Sequence, residues 1–168
     1  MTSFWNDKKV VVLGGAAMIG SALVDRLIEQ NVGVVWVADD CSSGKREWLP
    51  KDVELIKCDL RDYNNALTAV RGADYVFNLA ASHGGRAYVD THAVECFDNA
   101  SIDATVFRAC AKANVEKVTY MSSACAYDIS NQQDVDTDIK LSESMIDYDA
   151  PFCPPFVSFR TSHSPVAR

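Results

Sequence analysis

Residues 10–21 read VVVLGGAAMIGS, and this stretch constrains the fold more than any other. Val10–Leu13 form a short, wholly apolar strand that stops at Gly14 and Gly15. Ile19, Leu23 and Leu27 then recur at helical spacing, with Gly20 expected at the start of that helix. A strand that breaks at glycines into a helix exposes backbone N–H groups at the positive end of the helix dipole. A diphosphate suits such a place, and the pattern points to a dinucleotide ligand.

The same alternation continues along the chain. Strands are expected at 10–13, 33–38 (GVVWVA), 53–58, 75–80 (YVFNLA) and 117–122 (KVTYMS). Helices are expected at 19–30, 63–70 and 91–113, the last with apolar positions Val94, Phe97, Ile102, Val106, Phe107 and Cys110. Short apolar strands alternating with helices predict an α/β fold with a doubly wound parallel sheet. Ligands of such sheets lie at the carboxyl ends of the strands. Asp39 falls at the second of those ends, nineteen residues beyond Gly20, where a carboxylate can accept from an adenosine ribose. Asp59 falls at the third, in KCDL.

Composition narrows the function. With 168 residues the chain has room for one core. Its net charge of −7 argues against a nucleic-acid partner but is no obstacle to phosphate at a single helix terminus. No apolar run approaches the ~20 residues of a membrane span, and MTSFWNDKKV does not read as a secretory signal. The expected setting is therefore cytoplasmic, with no membrane contact. The six cysteines show no CxxC spacing, so no metal site is expected; they read as reduced thiols, mostly small core residues. Composition shifts late: residues 128–149 carry seven acids and one lysine, whereas residues 150–168 carry no acid and four of the five prolines. The expected organisation is a dinucleotide-binding domain over 1–149 and an irregular tail over 150–168.

These motifs together resemble the N-terminal part of the NAD-dependent epimerase/dehydratase family, the extended short-chain dehydrogenases/reductases, over about residues 8 to 147. The family turn TGGxGxIGS is matched by Leu13-Gly14-Gly15-Ala16-Ala17-Met18-Ile19-Gly20-Ser21. The DNLSxG element is echoed by Asp39-Asp40-Cys41-Ser42-Ser43-Gly44. Asp59-Leu60 matches the element after the third strand, and Asn78-Leu79-Ala80-Ala81 the HLAA after the fourth. Asn99 falls on the asparagine of the long helix, and Ser122-Ser123-Ala124-Cys125-Ala126-Tyr127 on SSxxxY. Among the departures, Leu13 stands for the usual threonine, Ala17 for the middle glycine, and Asp40 for asparagine.

The resemblance implies an NAD site built from these residues, together with His83 near the nicotinamide. It also implies a nucleotide-sugar substrate and a homodimer or higher oligomer. The SHGG loop, Ser82 to Gly85, resembles that of GDP-sugar members, which puts a GDP-sugar first. Ser123 would bond a sugar hydroxyl. Cys125 reads either as the acid/base of the 3,5-epimerase branch or as a small buried residue. The family's Tyr-x-x-x-Lys pair is missing: Tyr63, Tyr75, Tyr88, Tyr120, Tyr127 and Tyr148 are followed four residues on by Leu67, Leu79, His92, Ala124, Asn131 and Phe152. The expectation is of a truncated, catalytically incompetent family domain without the C-terminal substrate domain, its tail of the kind a shifted reading frame would produce. The alternatives are a small enzyme that uses Cys125 and a non-catalytic nucleotide-sensing module.

Overall fold

The computed structural model describes residues 3–83, 88, 91–122 and 142–145. The chain divides into two compact units, Met1–Met121 and Ser122–Arg168. The first is built on a five-stranded parallel sheet: β1 (Lys9–Leu13), β2 (Val34–Asp39), β3 (Glu54–Lys57), β4 (Tyr75–Asn78) and β5 (Lys117–Tyr120). Its order is β3-β2-β1-β4-β5, so the chain reverses direction across the sheet at β1. The connecting helices are α1 (Met18–Glu29), α2 (Tyr63–Val70) and α3 (Ala93–Ala113). In the second unit, the described residues include a 3-10 turn over Glu143–Met145. The expected boundary at 149/150 and the tail lie outside the described residues.

Each strand of the sheet centre is buried on both faces, which is why it reads as continuous apolar sequence. Val11 and Leu13 face a core shared with Ala66, Ala69 and Val70 of α2 and Val106, Ala109 and Cys110 of α3. Val10 and Val12 face the opposite core with Val24 and Leu27 of α1. The helix boundaries have local causes. Asp62 caps α2, its Oδ1 accepting from the N–H groups of Asn64 (2.8 Å) and Asn65 (3.0 Å). Asn114, left-handed at φ 56°, ends α3.

The structure shifts several expected ends. α1 begins at Met18, so Gly20 sits inside its first turn; β2 extends to take in Asp39; β4 stops at Asn78, leaving Leu79–Ala81 beyond the strand. Among the described cysteines only Cys110 is buried, and there burial pushes the thiol up to about 11. Cys41, Cys58 and Cys96 are half-buried.

The inward face of α3 is partly polar. Asp103 is buried and takes two hydrogen bonds, from Asn78 Nδ2 (3.1 Å) and from the Tyr120 hydroxyl (2.9 Å). Burial nevertheless raises its carboxyl above the usual range, against the lowering effect of those two donors. Beside it, the buried Asn78 Oδ1 has no hydrogen-bond partner among the described residues.

This network has a pH signature. The folded chain binds the Asp103 proton more tightly than the unfolded chain does. The contribution to stability is therefore fullest below the unfolded pKa, about 3.9, and is lost as pH rises through the higher folded value. Asp103→Asn removes the buried charge while its amide can still pair with Asn78 and with the Tyr120 hydroxyl. We expect it to raise the melting temperature at neutral pH by about 2–4 °C, the equivalent of ~1 kcal/mol, with the gain shrinking on acidification. Thermal melts across pH measure this, and an equal loss of stability at every pH would contradict it.

Candidate functional site

The turn after β1 is held between two other loops. Gly14 has φ +73°, and a Cβ there would meet Ala80 N at 2.7 Å and the Leu79 carbonyl carbon at 2.8 Å. On the other side Gly44 lies against the turn itself, where a Cβ would come within 2.5 Å of the Ala16 carbonyl carbon. Lys45 N–H donates to the Ala16 carbonyl (2.9 Å) and Gly14 N–H to the Ala38 carbonyl (2.8 Å). Only glycine at these two positions permits backbone to lie on backbone. Gly15 packs over Val37, and Gly20 lies on the Gly14–Gly15 backbone.

This packing brings the start of α1 to the carboxyl end of the sheet. Among the described residues no side chain caps the helix at Ala17, and its first turn carries no acid. Met18 and Ile19, the first helical residues, are 75% and 57% exposed. Large apolar side chains left open beside an uncapped helix start fit a flat ligand with an anionic group. Ala17 sits at φ −88°, ψ 175°, an ordinary extended conformation that needs no glycine.

Asp39 ends β2 and is only 7% exposed. Its Oδ2 accepts from Ala16 N–H (2.9 Å) and its Oδ1 from Cys41 N–H (2.7 Å). The carboxylate thus ties the end of β2 to the β1 turn, and each oxygen keeps a lone pair for another donor. Asp40 is exposed and accepts from Ser42 N–H (2.8 Å); Ser42 and Ser43 are exposed on the same loop. The two basic residues that follow are engaged elsewhere. Arg46 donates through Nη1 to the carbonyls of Leu49 and Pro50 and through Nη2 to those of Lys51 and Val53, at 2.9–3.1 Å. The Lys45 ammonium lies 5.7 Å from the Trp48 ring centroid.

Beyond β3, Leu60 is buried in the core and Asp59 is half-buried. Arg61 binds Asp59 through Nε (3.0 Å) and Nη2 (2.7 Å), and its own backbone N–H donates to Asp59 Oδ1 (2.9 Å). The side-chain hydrogen bond from Arg61 holds the Asp59 carboxyl below its ordinary value. Beyond β4, Leu79 and Ala80 are half-buried, and Ala81 and His83 are exposed. Asn99 reaches this loop from α3: its Oδ1 accepts from Ser82 N–H (2.7 Å) and its Nδ2 donates to the Ser82 carbonyl (3.0 Å). The Asn99 amide is therefore spent on bracing the loop. The Ser82 and Tyr88 hydroxyls share a 3.0 Å hydrogen bond, and the Tyr88 and His92 rings stack at 4.2 Å.

The first unit thus brings Gly14, Gly15, Ala17, Met18, Ile19, Gly20, Asp39, Gly44 and the Leu79–Ala80 backbone to one end of the sheet. Ser122 belongs to the second unit. Ser123, Cys125, Gly84 and Gly85 lie outside the described residues. Sequence reasoning missed the Asp103 network, the role of Arg46 and the Arg61 pairing. Only Arg61 carried a local signal, two residues beyond Asp59. Cys41 and Cys58 flank the site as thiols: burial raises both, reinforced by Asp39 at Cys41 and by Asp59 at Cys58.

Comparison with known proteins agrees with this geometry. GDP-mannose 3,5-epimerase 1 of Oryza sativa subsp. japonica is 32% identical over 147 residues, 84% of this chain and 37% of that protein. UDP-glucose 4-epimerase of Azospirillum brasilense is 29% identical over 123 residues, 71% of this chain and 34% of that protein. The crystal structure of Thermus thermophilus UDP-glucose 4-epimerase in complex with NAD superposes with a TM-score of 0.74 at 28% identity. That match covers 91% of this chain and 48% of the other. The chain therefore spans little more than a third of the length of the curated relatives it matches. Residues 10–150 match the model of the NAD dependent epimerase/dehydratase family, and the chain belongs to that family.

Proposed function

We propose that this chain binds NAD, with the diphosphate at the uncapped start of α1 and the adenosine ribose at Asp39. The observation that carries the reading is the glycine-packed turn, which leaves the N–H groups at Ala17–Ile19 without a side-chain cap at the open end of the sheet. The fit extends to Asp39, whose oxygens retain acceptor capacity. Family membership and the NAD complex of the Thermus relative support the same cofactor. When bound, NAD supplies reversible hydride transfer. The chain's own residues orient the dinucleotide: Asp39 accepts from ribose hydroxyls, Asp40, Ser42 and Ser43 line the adenosine side, and Leu79, Ala80 and Ala81 border the other. Asn99 holds Ser82, and with it the approach to His83, in place. Nucleotide sugars, GDP-sugars first, are the proposed substrate class of the parent chemistry.

The binding preference follows from Asp39. A buried carboxylate at the ribose repels a 2′-phosphate. Neither neighbouring cation compensates, since Arg46 is spent on four carbonyls and Lys45 lies over Trp48. We expect NAD to bind about tenfold or more tightly than NADP, a difference of ~1.4 kcal/mol. Calorimetry with both cofactors measures it, and equal or tighter NADP binding would reject it.

The 168 residues hold no Tyr-x-x-x-Lys. Ser123 alone is too weak a base, and loss of a general base costs about 10² to 10⁴ in rate. We propose that the chain binds NAD without turning over nucleotide sugars. A panel of GDP- and UDP-sugars, assayed for NADH or epimerised product, is expected to give none. Turnover that Cys125→Ala abolishes would overturn this and make Cys125 the acid/base.

A second copy of the chain is the proposed protein partner. Val94 and Phe97, on the first turns of α3, are 77% and 65% exposed, and open apolar side chains of that size commonly pair. Sedimentation at roughly tens of micromolar is expected to show a dimer that Phe97→Ser weakens. A monomer throughout that range would refute it.

A further inference from the structure

Among the described residues, Arg61 is the one basic side chain at the carboxyl end of β3 whose partners come from two elements. It closes on Asp59 of its own loop, and its Nη1 donates to Asp98 Oδ2 of α3 at 2.7 Å. A second tie runs alongside: the Thr105 hydroxyl of α3 donates to the Leu60 carbonyl at 2.6 Å. The loop carrying Asp59 is thus fastened to α3 at Leu60 and at Arg61. The next residue of the helix, Asn99, fastens the loop after β4 through Ser82.

We propose that Arg61, anchored by Asp98, is a positioning residue for base recognition, fixing the Asp59 carboxylate at the end of β3 where the adenine of the bound dinucleotide would meet it. The proposal rests on the NAD reading above. Asp39 ends β2 and Asp59 lies two residues past the neighbouring β3, with Cys58 N–H donating to the Asp39 carbonyl at 3.1 Å, so a base attached to a ribose at Asp39 comes within the neighbourhood of Asp59. A carboxylate accepts but does not donate, and suits a base edge that carries an amine rather than a carbonyl. That discrimination requires the carboxylate to be held. On a free loop an aspartate turns its oxygens to water. Here the guanidinium fork fixes the plane of the carboxylate, and Asp98 fixes the fork.

The test compares NAD, nicotinamide hypoxanthine dinucleotide, whose base carries a carbonyl in place of the amine, and nicotinamide mononucleotide, which lacks the base. Asp98→Asn loosens the anchor without touching Asp59. Calorimetry is expected to show NAD affinity lowered about two- to fivefold, in keeping with a largely exposed ion pair. The preference for NAD over the hypoxanthine analogue should fall in step, and binding of the mononucleotide should not change. Asp98→Glu should restore part of the preference. A purely structural ion pair would lower the melting temperature and weaken both dinucleotides alike. That result, or an unchanged preference in Asp98→Asn, overturns the proposal while the NAD reading stands. Failure of the parent chain to bind NAD overturns both.

Discussion

Everything at the carboxyl end of the sheet depends on backbone packed directly on backbone around Ala16. The β2 loop reaches the turn at Gly44, and the β4 loop reaches it at Gly14, each at a distance that leaves no room for a Cβ. Asp39 then ties the arrangement together, accepting from Ala16 on one side and from Cys41 on the other. A side chain at Gly14 or Gly44 would push against main chain, which cannot swing aside as a rotamer can. The consequences would include moving the start of α1 away from the ends of β2 and β4. The glycines are therefore a condition of the fold as much as of any ligand, and the open helix start is what remains once the loops are in place.

A second constraint comes from α3. Its inward stripe is Asn99, Asp103, Val106, Ala109 and Cys110, so two of its five buried positions are polar. Each polar position has a specific partner: Ser82 for Asn99, and Asn78 and Tyr120 for Asp103. Together with Asp98 and Thr105, which reach the β3 loop, these residues make the helix a ruler along the strand ends. Buried polar pairs of this sort add little net stability, but they fix register, because sliding the helix by one residue would strand a buried carboxylate.

How much of this was legible in the sequence follows the same division. β1, α2 and the order of elements were readable because burial on both faces gives unbroken apolar strands and the helices repeat at 3.6 residues. The strand-end aspartates were readable from spacing alone. α3 was not. Val94 and Phe97 fit the apolar pattern yet face outward, whereas Asn99 and Asp103 face in. Periodicity of apolar residues cannot reveal an inward stripe whose polar members are satisfied by loops distant in sequence. Arg46 was opaque for a different reason: its task is to serve four loop carbonyls at Leu49–Val53, and main-chain acceptors leave no mark in the side-chain sequence. Arg61 carried half a signal, since its bond to Asp59 is local but its bond to Asp98 is not.

The proposed separation of cofactor binding from chemistry has a physical basis in where each requirement is stored. Holding a diphosphate at a helix start draws on backbone N–H groups and on three loops brought together by glycines. Such a cradle depends on conformation, and Leu13 and Ala17 satisfy that conformation without being the usual residues. Ala17 is extended, and Leu13 is wholly buried with its side chain in the core. Acid–base chemistry at a sugar hydroxyl draws on particular side-chain atoms with shifted pKa values, and no backbone geometry can replace them. Alanine at position 17 is therefore absorbed without a change of conformation, whereas the Tyr–Lys pair is either present or absent. On the proposed reading, a family domain can keep its dinucleotide cradle where no Tyr-x-x-x-Lys stands, because the two functions are written in different parts of the molecule's chemistry: one in main chain, the other in side chains.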